Sequence, residues 1–101
     1  LLIKRREPLT FLTKLLVVDE VFMDFLPDER KHTFIWQAVR DKRIIVLRSF
    51  TKFFALAGLR FGYVVAHSRI IEKFRCHQPP WSVNILAQTA AEAVLDDKEY
   101  I

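Results

Sequence analysis

Cysteine is almost missing from this chain. Cys76 is the only one in 101 residues, so no internal disulfide can form, and the framework of a small disulfide-rich secreted domain is excluded. Glycine is scarce, with two residues, and proline modest, with four, which excludes collagen-like and low-complexity chains and argues against disorder. No apolar run approaches the roughly 18 residues of a membrane-spanning helix, and no secretory leader is recognisable. The expectation is a cytoplasmic protein with no membrane partner. Of the three histidines, His77 adjoins Cys76 while His32 and His67 lie far off in sequence. Adjacent residues rarely face one site, so neither a metal centre nor a Cys/His nucleophile is expected.

What is abundant is apolar surface. Hydrophobic residues make up 51% of the chain and aromatic residues 13%. At this length one domain is the upper bound, and its core is modest. Apolar content this high suits a piece of something larger, and the ends, LLIKRREPL and DDKEYI, fit that reading. The net charge of +4 invites an anionic partner, but bases and acids interleave, as in RKHTFIWQAVRDKR. A mixed surface of this kind is not a nucleic-acid footprint, and no nucleic-acid partner is expected.

Two short unbroken apolar runs stand out: Leu15 to Val18, ending at Asp19, and Ile44 to Leu47, ending at Arg48 and Ser49. Such runs suit strands buried on both faces, as in a parallel sheet. Between them a helix is predicted over 33–42, with Thr33 as its N-cap and Phe34, Ile35, Ala38 and Val39 on one face. Strand, helix, strand implies a right-handed crossover between parallel neighbours. A third strand, Phe61 to Ala66, follows too closely for another crossover, so it is expected antiparallel, with a bend at Gly58. Two helices follow. One begins near Ser68 with Ile70, Ile71 and Phe74 on a face; Pro79 and Pro80 separate it from a second, with a stripe of Val83, Leu86, Ala87, Ala90, Val94 and Leu95.

In open α/β sheets, ligands sit beyond the carboxyl ends of the parallel strands. This topology gathers Asp19, Glu20, Ser49, Thr51, Lys52 and Arg60 at that rim, on strands about 4.8 Å apart. Hydroxyls and a guanidinium suit a phosphate. A carboxylate suits a protonated ring nitrogen, and a lysine condenses with an aldehyde. Phosphate, pyridinium and aldehyde together describe pyridoxal 5'-phosphate (PLP).

The runs VVDEVFMDF and VLRSFTKFFALAGLRFGYVVA resemble the fold type I PLP-dependent enzymes, the class I/II aminotransferase group. DEVFMDFLPDE and QPPWSVNILAQ are most similar to the threonine-phosphate decarboxylases of cobalamin synthesis, and next to histidinol-phosphate aminotransferases. The resemblance implies that residues 1–101 are a central fragment of the PLP-binding large domain, in an α/β fold of parallel strands plus one antiparallel strand with flanking helices. It implies Lys52 as the Schiff-base lysine and proton shuttle, Asp19 on the pyridine nitrogen, and Ser49, Thr51 and Arg60 on the phosphate. Val21 stands where relatives usually have a small residue packed on the ring. Phe22 stands where many have a tyrosine bonding the ring's phenolic oxygen, a bond phenylalanine cannot make. The upstream asparagine, the stacking aromatic residue and the substrate-carboxylate arginine of the family are not in these 101 residues, so the isolated chain is expected to bind PLP weakly and to turn nothing over. The complete protein is expected to be a homodimer acting on a small phosphorylated amino-acid-like substrate. Two kinds of activity stay open, decarboxylation and transamination, beside a non-enzymatic one: an aminotransferase-like, PLP-sensing effector domain of a regulator.

Overall fold

The structure is a computed structural model and describes residues 14–100. The opening run LLIKRREPL and the final Ile101 lie outside the described residues. Strand β1 (Leu16–Asp19) runs parallel to β2 (Ile44–Ser49), pairing Leu16 with Ile44 and Asp19 with Leu47. Strand β3 (Gly62–Ala66) lies antiparallel on the other side of β2, pairing Ile45 with Ala66 and Ser49 with Gly62. The mixed sheet is therefore the one expected. Its middle strand is the most buried because it alone has neighbours on both sides: Ile44, Ile45 and Val46 are all buried.

The strands alternate their side chains between two faces. One face carries Val18, Ile44, Val46 and Val65, on which Phe34, Ile35 and Ala38 pack to make the core. On the other, Ile45 and Ala66 are buried, but Val17 and Leu47 remain 52% and 37% exposed.

The helix expected over 33–42 is two short pieces, α1 (Glu29–His32) and α2 (Ile35–Ala38), with Thr33 extended between them (φ −71°, ψ 146°). Thr33 is buried, and its hydroxyl donates to Glu20 Oε2 (2.7 Å) while accepting the Ile35 N–H (3.2 Å). Thr33 is therefore not the N-cap expected: it ends α1, the cap position of α2 is Phe34, and the Thr33 hydroxyl bonds the first turn of α2 from one residue further out. Val39 falls beyond α2 and is exposed.

Further on, the bend expected at Gly58 falls within a single tight turn. A 3-10 turn covers Ala57–Leu59, and the left-handed residues are Ala55 (φ 54°) and Arg60 (φ 51°), on either side of it. Helix α3 (Ser68–His77) is capped by His67, whose Nδ1 accepts the Arg69 N–H (3.2 Å), so the cap lies one residue before Ser68. Helix α4 (Ile85–Asp96) starts at an Asn84 cap, with Oδ1 accepting the Ala87 N–H at 2.8 Å. It buries Ala87 and Ala91, with Ala90 and Val94 half-buried beside them, while Leu86 and Leu95 face outward. Leu86 is one residue, about 100°, off the buried line, which is why spacing alone misassigned it. Among the described residues no helix is long and apolar enough to cross a membrane.

Candidate active site

The carboxyl edge of the parallel pair is built by two strand ends and the turn that leads into β3. The Glu20 N–H bonds the Leu47 carbonyl (2.9 Å), continuing the β1–β2 pairing one step past Asp19. On β2, Ser49 and Thr51 bring their hydroxyls to 2.7 Å, and Ser49 Oγ also accepts the Thr51 N–H at 3.1 Å. This Ser-x-Thr turn closes onto the opposite strand, since the Phe50 N–H donates to the Phe61 carbonyl (3.2 Å) and Ser49 Oγ reaches the same oxygen at 3.4 Å. Thr51 is buried and Lys52, the next residue, is exposed.

Arg60, immediately before Phe61, is held in the left-handed region and is exposed. A non-glycine residue there costs about 1 kcal/mol or more. The chain spends that strain to turn sharply from the 3-10 turn into β3, one residue before Phe61, whose carbonyl meets the Ser-x-Thr turn. Gly62 answers a different constraint: a Cβ there would lie 2.8 Å from the Arg48 carbonyl oxygen. Only glycine lets β3 come this close to the end of β2.

Asp19 sits on the same sheet face as Leu47 and Ser49, by register and alternation. Its Oδ1 accepts the Val21 N–H at 3.0 Å. Val21 is half-buried, whereas Phe22 is 62% exposed and meets Phe25 at a ring-centroid distance of 6.2 Å. Phe25 in turn packs edge-on against Phe53 at 5.3 Å. The turn after Asp19 therefore touches the residue after Lys52, through aromatic rings that sequence spacing did not connect. Asp19, Lys52 and Arg60 make no direct contact with one another; they share an edge.

Glu20 does not belong to that edge. It is buried on the opposite face, where Oε1 accepts the Phe34 N–H (2.6 Å) and Oε2 the Arg48 Nε–H (3.0 Å). Arg48 is 4% exposed and donates further to Asp24 (2.9 Å), Glu29 (3.1 Å) and Thr33 Oγ1 (3.2 Å). Burial works against its charge, but the hydrogen bond to Glu29 and the fields of Asp24 and Glu20 hold its pKa above the usual value. Asp24 is shifted upward, by burial first and by Glu29, against the pull of Arg48. Sequence reasoning missed this cluster, although a signal was present. With Ile44 and Val46 facing the core, the period of two assigns Arg48 to the same side, where a charge requires partners.

Two other sequence candidates have ordinary duties. Cys76 is exposed, and His77 Nδ1 donates to the Lys73 carbonyl (2.8 Å) within α3. Among the described residues no group of three metal-ligating side chains forms.

The donor set at the edge fits PLP. Two hydroxyls and a guanidinium match a phosphate, a carboxylate on the neighbouring strand matches a pyridinium, and a primary amine lies between them in sequence. The mixed three-stranded sheet with its helices matches a fragment of a fold type I aminotransferase. The family model "Aminotransferase class I and II" matches residues 9–101, and the chain belongs to that PLP-dependent family. It is 42% identical over 85 residues to a histidinol-phosphate aminotransferase of Caldicellulosiruptor saccharolyticus, covering 84% of this chain and 24% of that protein. It is 45% identical over 87 residues to a threonine-phosphate decarboxylase of Salmonella typhimurium, covering 84% and 23%. The crystal structure of a histidinol-phosphate aminotransferase from Clostridium acetobutylicum superposes with a TM-score of 0.77 at 34% identity, over 87% of this chain and 26% of that one. The chain thus spans about a quarter of the length of the relatives it matches.

Proposed function

We propose that the protein carrying this chain is a PLP-dependent enzyme acting on a small phosphorylated amino substrate, with Lys52 as its covalent anchor. The observation that supports this most is the Ser49–Thr51 hydroxyl pair, 2.7 Å apart at the end of the central strand and directly before Lys52. Ser49, Thr51 and Arg60 bind the cofactor phosphate. Asp19 keeps the pyridine nitrogen protonated, aided by the Val21 N–H that orients its carboxylate. With PLP bound, Lys52 would supply the amine that condenses with its aldehyde, releasing water, and would then move the proton at the substrate's α-carbon. Val21 borders the ring, and Phe22 leaves the phenolic oxygen without a bond from this position. When bound, PLP acts as an electron sink for the carbanion formed at that carbon.

The particular reaction we propose is decarboxylation of L-threonine O-3-phosphate, in cobalamin biosynthesis, by a cytoplasmic homodimer. The runs DEVFMDFLPDE and QPPWSVNILAQ and the 45% identity to the Salmonella decarboxylase favour it. A second reading, transamination of histidinol phosphate, is favoured by the Caldicellulosiruptor and Clostridium relatives. The two differ in which bond at the α-carbon is broken, and residues outside this chain orient that bond.

The complete protein should show an absorbance band that borohydride fixes onto Lys52, found by mass mapping and lost in Lys52→Ala. Losing the lysine's proton transfer alone should lower turnover roughly 10²–10⁴-fold. Carbon dioxide released from threonine phosphate supports the decarboxylase. Amino transfer from histidinol phosphate to a 2-oxo acid supports the aminotransferase. A fixed label with neither product points to the sensing domain of a regulator. No label at Lys52 sinks all three.

A further inference from the structure

Asp19 and Glu20 are neighbours in sequence on opposite faces of the sheet, and so are Ser49 and Arg48. The ion pair of Glu20 with Arg48, 3.0 Å long with side chains 1% and 2% exposed, therefore lies directly behind the point where Asp19 and Ser49 emerge. The pair is saturated on every side. Glu20 takes three donors, from Phe34 N, Thr33 Oγ1 and Arg48 Nε, at 2.6–3.0 Å. Arg48 gives to four acceptors, drawn from β1's end, the following 3-10 turn, α1 and the extended Thr33. A guanidinium fork bonded this way permits one orientation of the strand end. Because each strand residue is rigidly linked to the next, orienting Glu20 and Arg48 also orients Asp19 and Ser49.

We propose that Arg48 and Glu20 are positioning residues of the cofactor site. From the packed face of the sheet they set the spacing between the ring-nitrogen carboxylate on β1 and the phosphate hydroxyls on β2. The inference rests on the PLP reading of the opposite face. It goes beyond that reading in assigning function to a buried cluster that touches no ligand. A bare stabilising pair would act on unfolding alone, whereas a positioning pair acts on the cofactor in protein that is still folded.

The test uses the complete protein with Arg48→Lys, which keeps the charge but loses the fork, and with Glu20→Gln, which keeps the acceptor for Phe34 N but loses the charge. Folding is checked by far- and near-UV circular dichroism. PLP affinity is measured by absorbance titration, together with the pH midpoint of the bound-cofactor band. In folded variants the dissociation constant should rise about tenfold or more, as for lost supporting-shell contacts, and the midpoint should move by about half a unit. Should Arg48→Lys not fold, Thr33→Ala carries the same readouts. It removes one contact to each partner and leaves the pair, with about a threefold change expected. Folded variants with wild-type affinity and midpoint overturn the proposal, even if they melt earlier. Wild-type protein with no borohydride-fixed label on Lys52 overturns the cofactor reading, and this inference with it. A wild type that labels while the variants bind normally overturns only the inference.

Discussion

The two faces at the end of the parallel pair treat the same kinds of residue in opposite ways. On one, Glu20 and Arg48 are buried and every charged atom has a protein partner. On the other, Asp19 is exposed, as are Lys52 and Arg60 in the loops beyond the strands, and among the described residues the Asp19 carboxylate meets only the Val21 N–H. The contrast follows from burial. A charge removed from water must be satisfied by the protein itself, whereas a charge at an open edge keeps its bonding capacity for a ligand. One residue of displacement along a strand decides which applies.

The largest effect expected from breaking this contrast comes from the buried side. Glu20→Ala should cost the complete protein about 3–5 kcal/mol in chemical denaturation, because Arg48 is left buried with its most deeply buried counter-charge gone. Asp19→Asn should change stability by no more than about 0.5 kcal/mol, since the amide oxygen still accepts the Val21 N–H, while cofactor binding weakens. Equal costs for the two variants would remove the distinction between the faces. Gly62→Ala sharpens it, because the new Cβ meets the Arg48 carbonyl and must displace the strand end that serves both faces. A loss of about 1–3 kcal/mol is expected, read as a lower thermal midpoint, with weaker PLP binding in the same variant.

The smallest effect belongs to the Asp41–Arg43 ion pair, just before the start of β2. Asp41 is held down to about 2 by its hydrogen bonds with Arg43, whose Nη2 lies 2.6 Å from Oδ2. A carboxyl whose folded pKa lies below its unfolded value contributes stability above the unfolded value and loses it as pH falls. The contribution should therefore fade between about pH 4 and pH 2. An Asp41→Asn variant should show a flatter fall in urea midpoint across that window, and a parallel fall would contradict the assignment. As both groups are surface charges, added salt should shrink the difference.

Much of the fold was legible because the strong signals are local. The runs LVVD and IIVL announce buried strands, and the short connection of residues 50–61 allows only an antiparallel return. Ser49, Thr51 and Lys52 were legible as a group for the same reason, falling within four residues at a strand end. The helix over 33–42 was overread: its pattern is helical, but Thr33 is pulled out of it by Glu20, thirteen residues earlier. The turn at Gly58 was legible, but the left-handed residues on either side of it were not, because glycine usually takes that conformation and here Ala55 and Arg60 do.

The order of apolar runs and polar strand ends, read alone, determined that there is a mixed sheet whose parallel strands end at Asp19 and Ser49. Alternation along a strand is a property of the backbone and needs no partner. Tertiary structure alone decided which charges are spent inside. Arg48, Glu20, Asp24, Glu29 and Thr33 are spread over residues 20–48, and only the closed fold brings them around one guanidinium. Hydrogen-bond partners are chosen by distance in space once water is excluded, and no local pattern encodes that distance.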